Sequence, residues 1–343
     1  MNAKWGQSGA KWAMHVWVPS LRLEKEREFW SVRAGHRLIK DAVATLQEKL
    51  KSGRFVITAE ITPPVSCDAA DLLAKAAPLR GLADAVNVTD GAGARAHLAA
   101  VTAAGILLQN GIEPILQFTC RDRNRIALQS DLMGAAALGV QNLLMLKGDD
   151  PKQGDQPDAK PVFDLDTVGL TQMAIAMRDK GELPNGRKVD GQAKFFIGAA
   201  DAPIDPPAGW EPKSFKAKIA AGCEFAQTQF CMDAAVVRRY MARLADHGVK
   251  LPMLIGISPL RSAKSARWMR EKLFGTIISD AIVARMDAAV DPAAEGQRIC
   301  LELLEELAAI PGVAGVHLMA PGNEGAIVDV LKAAAAMKSR ARP

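Results

Sequence analysis

No stretch of the 343-residue sequence approaches the roughly 18 consecutive apolar residues that a membrane span requires, and its N-terminus lacks the sustained apolar core of a secretory signal. A membrane partner is therefore not expected. Cysteine is scarce. The five present (Cys67, Cys120, Cys223, Cys231, Cys300) are odd in number and far apart, with neither a C-x-x-C pair nor zinc-type spacing to the five histidines. That pattern excludes a disulfide framework, offers no metal site, and makes a reducing, cytoplasmic compartment the simplest expectation. An excess of one charge is lacking too: 43 basic and 38 acidic side chains leave a formal charge of +5. This balance is too mild and too evenly spread for a nucleic-acid-binding surface. What is present is apolar: a hydrophobic fraction of 49% is ample for a large core and argues against disorder.

The chain divides unevenly. Residues 1 to about 36 hold Trp5, Trp12, Trp17 and Trp30 among many charges, with no sustained period of 2 or 3.6, and read as an appended arm. Tryptophans at that density favour packing on the rest of the chain or on another subunit over ligand contact, so a homo-oligomer is an expectation. A helix follows in "RLIKDAVATLQEKLKSG", ending at Gly53. Residues 1–53 thus form an arm and helix, and residues 54–343 the main domain. From residue 54 eight short apolar runs read as buried parallel strands: "RFVITAEIT", "ADAVNVTD", "EPILQFTC", "QNLLMLKG", "KFFIGAA", "FAQTQF", "LPMLIGIS" and "GVHLMA". Amphipathic segments closed by Gly139, Gly222 and Gly248 lie between them. Eight β-then-α units point to an α/β fold, a (β/α)8 TIM barrel with an N-terminal extension. A doubly wound sheet is the alternative, but no strand is followed by G-x-G-x-x-G, and "DGAGARA" approximates it poorly.

In such a barrel the loops after the strands build the catalytic face, so polar residues at strand ends are the candidates. These are Glu60, Thr89 with Asp90, Gln117 with Thr119 and Cys120, Lys147 with Asp149 and Asp150, Asp201, Gln227 with Gln229, Ser258 and His317. A glutamate inside "VITAEITPP" needs a partner or a task. It reads equally as a structural ion pair or as a general acid whose proton is retained by partial desolvation. In "LKGDDP", Gly148 would let backbone amides approach a ligand beside a cation and carboxylates; an ordinary charged turn is the plain alternative. Gln227 and Gln229 alternate onto one side of their strand, suiting either a mixed donor–acceptor heterocycle or a satisfied polar core layer.

The succession "AEITPP", "NVTDG", "FTCRDRN", "LKGDDP" and "AKIAAGCEFAQTQF" resembles methylenetetrahydrofolate reductase over roughly residues 54–337. The resemblance implies reduction of 5,10-methylenetetrahydrofolate with electrons from NADH or NADPH through a bound flavin, FAD more readily than FMN. Glu60 would protonate the folate N10 as the imidazolidine ring opens. Asp149 would contact the folate and tune the flavin, and Gln229 would contact nicotinamide and folate. Flavin contacts would fall at Thr89, Gln117, Lys147, Gly148, Asp149, Ala199, Glu211 and Lys218. There are departures. Gln117 replaces a histidine, Asp201 and Met319 replace tyrosines, and Ala263 replaces a phenylalanine, which resembles a divergent branch containing "CRDRNRIALQSDL" and "KPVFDLD". Two alternatives follow from them: the same reaction without flavin or with a partner electron donor, and a non-catalytic folate- or flavin-binding subunit. Glu60, Asp149 and Gln229 together argue against the second, since a binder has no use for a proton donor.

Overall fold

The computed structural model describes residues 44–340. The tryptophan-rich arm and the first part of the expected helix lie outside these residues. Among them the helix is α1 (Leu46–Lys51), opened by a capping box in which Thr45 and Glu48 each satisfy the other's backbone N–H. Thr45 has extended backbone with ψ 162°, so the helical period seen upstream does not run through it.

Alternation then sets in: β1 (Val56–Ile61), α2 (Ala69–Ala76), β2 (Ala85–Val88), α3 (Ala100–Gln109), β3 (Pro114–Thr119), α4 (Arg125–Leu138) and β4 (Asn142–Leu146). It continues with α5 (Thr167–Lys180), β5 (Phe196–Asp201), α6 (Lys213–Ala220), β6 (Phe225–Met232), α7 (Ala234–Asp246), β7 (Met253–Ile257) and α8 (Ala263–Lys272). The last units are a two-residue strand β8 (Ile277–Ile278), α9 (Asp280–Ala288), α10 (Pro292–Ala308), β9 (Val313–Leu318) and α11 (Glu324–Arg340). Every strand pair is parallel, and the pairings β1–β9 and β5–β6 close the order β1-β2-β3-β4-β5-β6-β7-β9 into an eight-stranded barrel. All eight apolar runs read from the sequence are barrel strands. The added β8 pairs only with the end of β6.

Strand alternation sorts the side chains into layers. Ile57, Ala59 and Ile61 face the helices in the larger core, whereas Val56 joins Ala85, Ile115, Leu144, Phe196, Phe225 and Leu254 in a separate interior cluster. Seven strands therefore contribute one apolar residue each to the barrel floor. Phe196 and Phe225 stack there at 4.8 Å, and a Cβ at Gly198 would lie 2.5 Å from the Phe225 ring, so only glycine leaves room for it. Leu46 and Leu50 of α1 complete this cluster from below. The Leu46 N–H donates to Glu113 (2.9 Å), and Lys49 reaches Asp84 (3.1 Å). Burial raises the Glu113 carboxyl above its ordinary range, which the Leu46 N–H, the Asn142 amide and the nearby Lys49 charge only partly offset.

Because Leu46 is fully buried at the floor, Leu46→Ala should cost about 2–5 kcal/mol, read as a lower urea midpoint. A loss under roughly 0.5 kcal/mol, the range of an ordinary surface change, would show that α1 does not seal the barrel.

Candidate active site

Above the apolar floor the interior turns polar. Thr58 and Glu60 stand two apart on β1 and so share its inner face with Val56. Thr58 is in register with both Ala85 and His317, so β2, β1 and β9 present side chains at one height. The Gln117 amide donates to Glu60 Oε2 (2.7 Å), and His317 Nε2 lies 3.5 Å from the same oxygen. His317 Nδ1 is 3.0 Å from Thr58 Oγ1, which accepts from Gln227 Nε2 at 3.0 Å. Gln227 and Asn87 exchange two amide bonds, 2.7 and 3.0 Å. The result is one ladder from Asn87 through Gln227, Thr58 and His317 to Glu60. Its lower members are fully buried, while the Glu60 side chain keeps 18% exposure and marks where the ladder meets solvent.

The loops beyond the strands are tied by Arg121, which is 4% exposed. Its guanidinium forms a twofold contact with Asp122 and donates to the carbonyls of Gly91 (3.2 Å) and Asp149 (3.5 Å). Its own carbonyl accepts the Val162 N–H at 2.7 Å. Asp149 is exposed, and its Oδ2 accepts the Gly93 N–H at 2.9 Å. Gly148 has φ +93°, and a Cβ there would lie 2.8 Å from Arg121 Cβ. Arg121 therefore takes the side of Gly148 that a Cβ would occupy. Nearby, Asp90 accepts from the Thr119 N–H (2.8 Å) and hydroxyl (2.9 Å) and pairs with Arg123, whose guanidinium lies 4.4 Å over the Phe118 ring.

A sequence profile of the family described as Methylenetetrahydrofolate reductase matches residues 45–335, the whole of this barrel. The chain belongs to the methylenetetrahydrofolate reductase family. Among its relatives, a Caenorhabditis elegans protein named probable methylenetetrahydrofolate reductase (NADPH) is 25% identical over 67% of this chain and 33% of its own length. The 5,10-methylenetetrahydrofolate reductase of Pectobacterium carotovorum is 28% identical over 62% of this chain and 66% of its own, and that of Salmonella typhimurium 27% over 48% and 49%. The chain thus spans a third to about two thirds of the curated relatives it matches. A Clostridium thermocellum protein whose description says that it binds two copies of 5-methyl-5,6,7,8-tetrahydrofolic acid shares the fold, with TM-score 0.58 and 13% identity over 84% of this chain and 98% of its own.

Other residues expected from the family resemblance are more dispersed. Thr89 is buried, and its hydroxyl has no partner. Lys147 is exposed, with its Nζ 5.6 Å from the Phe163 ring centroid. Ala199 is buried in the outer core, Glu211 is exposed beside Lys213 (3.7 Å), and Lys218 donates to the Ala200 carbonyl at 2.6 Å. The expectation that Gln227 and Gln229 face one way is corrected. A register shift between Gln227 and Phe230 breaks the alternation, so Gln227 enters the ladder while Gln229 accepts the Phe230 N–H and lies against Gly275. Asp201 is also reassigned: its carboxylate accepts the hydroxyl of Tyr240 on α7 and so engages the helical layer. Sequence reasoning missed Thr58, Asn87, Arg121 and Arg123. The signal for the first two was present, a polar residue inside "VITAEI" and "AVNV" on the face that carries Glu60.

Burial holds the Asp201 carboxyl above its ordinary range despite the Tyr240 hydroxyl and nearby Lys218, and it pushes the Tyr240 phenol up as well. A carboxyl raised in the fold disfavours folding once it must ionise. The wild type should therefore lose stability as pH rises through the folded Asp201 value, with no such loss below the unfolded value of about 3.9. Asp201→Asn keeps an acceptor for Tyr240, so it should gain on wild type in thermal melts at pH 7–8 and lose that gain near pH 3. A pH-independent difference would mean that Asp201 is not held against ionisation.

Proposed function

We propose that this chain reduces 5,10-methylenetetrahydrofolate to 5-methyltetrahydrofolate with electrons from NADH or NADPH, through bound FAD in preference to FMN. The observation that carries this reading is Glu60, a half-buried carboxyl at the barrel mouth with Oε2 held by Gln117. An amide donor on Oε2 leaves Oε1 as the oxygen able to carry a proton outward. Opening the folate's five-membered ring requires a proton on the leaving nitrogen, N10, and Glu60 supplies it as general acid. The cation that ring opening leaves on the one-carbon bridge is stabilised by the Asp149 carboxylate, whose Oδ2 is already oriented by the Gly93 N–H. Gln229, whose Oε1 is taken by the Phe230 N–H, would offer its Nε2 to folate and nicotinamide.

The residues present fit a flavin. The Thr89 hydroxyl is buried without a partner at the end of β2, which is the condition of a group that awaits a ligand atom. Lys147, Gly148 and Lys218 would bind ring and phosphates, with Gln117, Ala199 and Glu211 bordering them. When bound, the flavin supplies the hydride relay between nicotinamide and folate, and the protein supplies placement and charge. Family membership, the NADPH in the nematode relative's name and the methyl-folate bound by the structural neighbour support the same substrate class.

Folate reduction consumes a proton at N10, whereas nicotinamide oxidation needs none from Glu60. Glu60→Gln should therefore slow folate reduction by about 10²- to 10⁴-fold, the usual worth of a general acid, and leave nicotinamide oxidation close to wild type. Stopped-flow measurement of the two half-reactions reads this directly. Equal losses in both would remove Glu60 from the acid's role.

A further inference from the structure

The ladder beneath Glu60 has a direction. The two Nε2 hydrogens of Gln227 go to Asn87 Oδ1 and Thr58 Oγ1, 3.0 Å each, while Gln227 Oε1 accepts from Asn87 Nδ2 at 2.7 Å. Thr58 Oγ1 is thus an acceptor from below. Its own hydrogen then serves His317 Nδ1 at 3.0 Å in preference to the Val316 carbonyl at 3.4 Å. An imidazole that accepts at Nδ1 carries its proton on Nε2, the atom 3.5 Å from Glu60 Oε2. Turning both amides round would reverse every donor and set a bare Nε2 lone pair against a carboxyl oxygen, which is the poorer arrangement. In ligand-free geometry such a contact is commonly long and tightens when substrate arrives.

The geometry points to His317 as a positioning residue. Its Nε2–H, set by Thr58, Gln227 and Asn87, joins the Gln117 amide in holding Glu60 Oε2 as an acceptor and so confines the transferable proton to Oε1. Among the described residues no carboxylate or cation other than Glu60 takes part in the ladder's contacts, so neutral groups fix the tautomer. This inference rests on the reading of Glu60 as general acid, and the experiment separates the two.

The direct readout is the imidazole ¹⁵N–¹H spectrum of the full-length protein, with the His317 signals identified by their loss in His317→Gln or by their displacement in Thr58→Val. A proton on Nε2 only in the wild type, and its redistribution towards Nδ1 in Thr58→Val, are expected. A proton on Nδ1 in the wild type overturns the inference. In half-reactions, His317→Leu should slow folate reduction about 10- to 100-fold, the worth of one hydrogen bond to a charged group. Nicotinamide oxidation should be retained, and His317→Gln, which restores an N–H donor, should recover part of the loss. Unimpaired folate reduction in His317→Leu, beside its loss in Glu60→Gln, overturns the role of His317 alone. Unimpaired folate reduction in Glu60→Gln instead overturns the parent reading.

Discussion

A carboxyl group set inside a parallel barrel loses much of its hydration, and its oxygens must find donors in the protein or the fold bears the cost. At Glu60 the donor is the Gln117 amide, from the second strand along the sheet, with His317 approaching from the strand on the other side. That constraint organises the interior. Thr58 and Glu60 on β1, Asn87 on β2, Gln117 on β3, Gln227 on β6 and His317 on β9 meet in one ladder, and the apolar floor begins immediately below, where Val56, Phe196 and Phe225 close the barrel. A partly satisfied ladder would be worse than an apolar core, so its completeness is what makes a carboxyl at that depth tolerable.

The loops answer a second constraint, that a side chain carried on a loop is placed only as well as the loop itself is held. Arg121 does this by binding carbonyls from the loops after β2 and β4 while its own backbone anchors Val162. The glycines of "DGAGARA" and "KGDD" serve this convergence: Gly93 donates to Asp149, and Gly148 leaves room for the Arg121 side chain. Asp149 is therefore oriented from two neighbouring loops although its side chain is exposed.

Much of this was legible in the sequence. Buried parallel strands are continuous apolar runs, and all eight could be located from that signal alone. The odd residue inside such a run, Glu60 or Asn87, is visible because burial makes it costly. Pairing is another matter. Nothing local says that Gln117 reaches Glu60, that Gln227 reaches across to Asn87, or that Asp201 bonds Tyr240, because each contact joins residues between 39 and 140 positions apart. The register shift that separates Gln229 from Gln227 escaped for a related reason, since strict alternation is a rule that a bulge suspends and "AQTQF" carries no glycine to announce one. Gly148 shows the converse: the close approach that its glycine announces is met, on the side a Cβ would take, by Arg121 from the loop after β3, which nothing local in "LKGDDP" names.

The central claim is that Glu60 faces the reacting end of a folate with one oxygen while the ladder holds the other. A crystal structure with 5-methyltetrahydrofolate bound tests it most directly. The account predicts the folate N10 within hydrogen-bonding reach of Glu60 Oε1, with Oε2 still on Gln117 and nearer to His317 than the present 3.5 Å. A folate bound away from the mouth, or Oε2 released from Gln117 to meet the ligand, would contradict it.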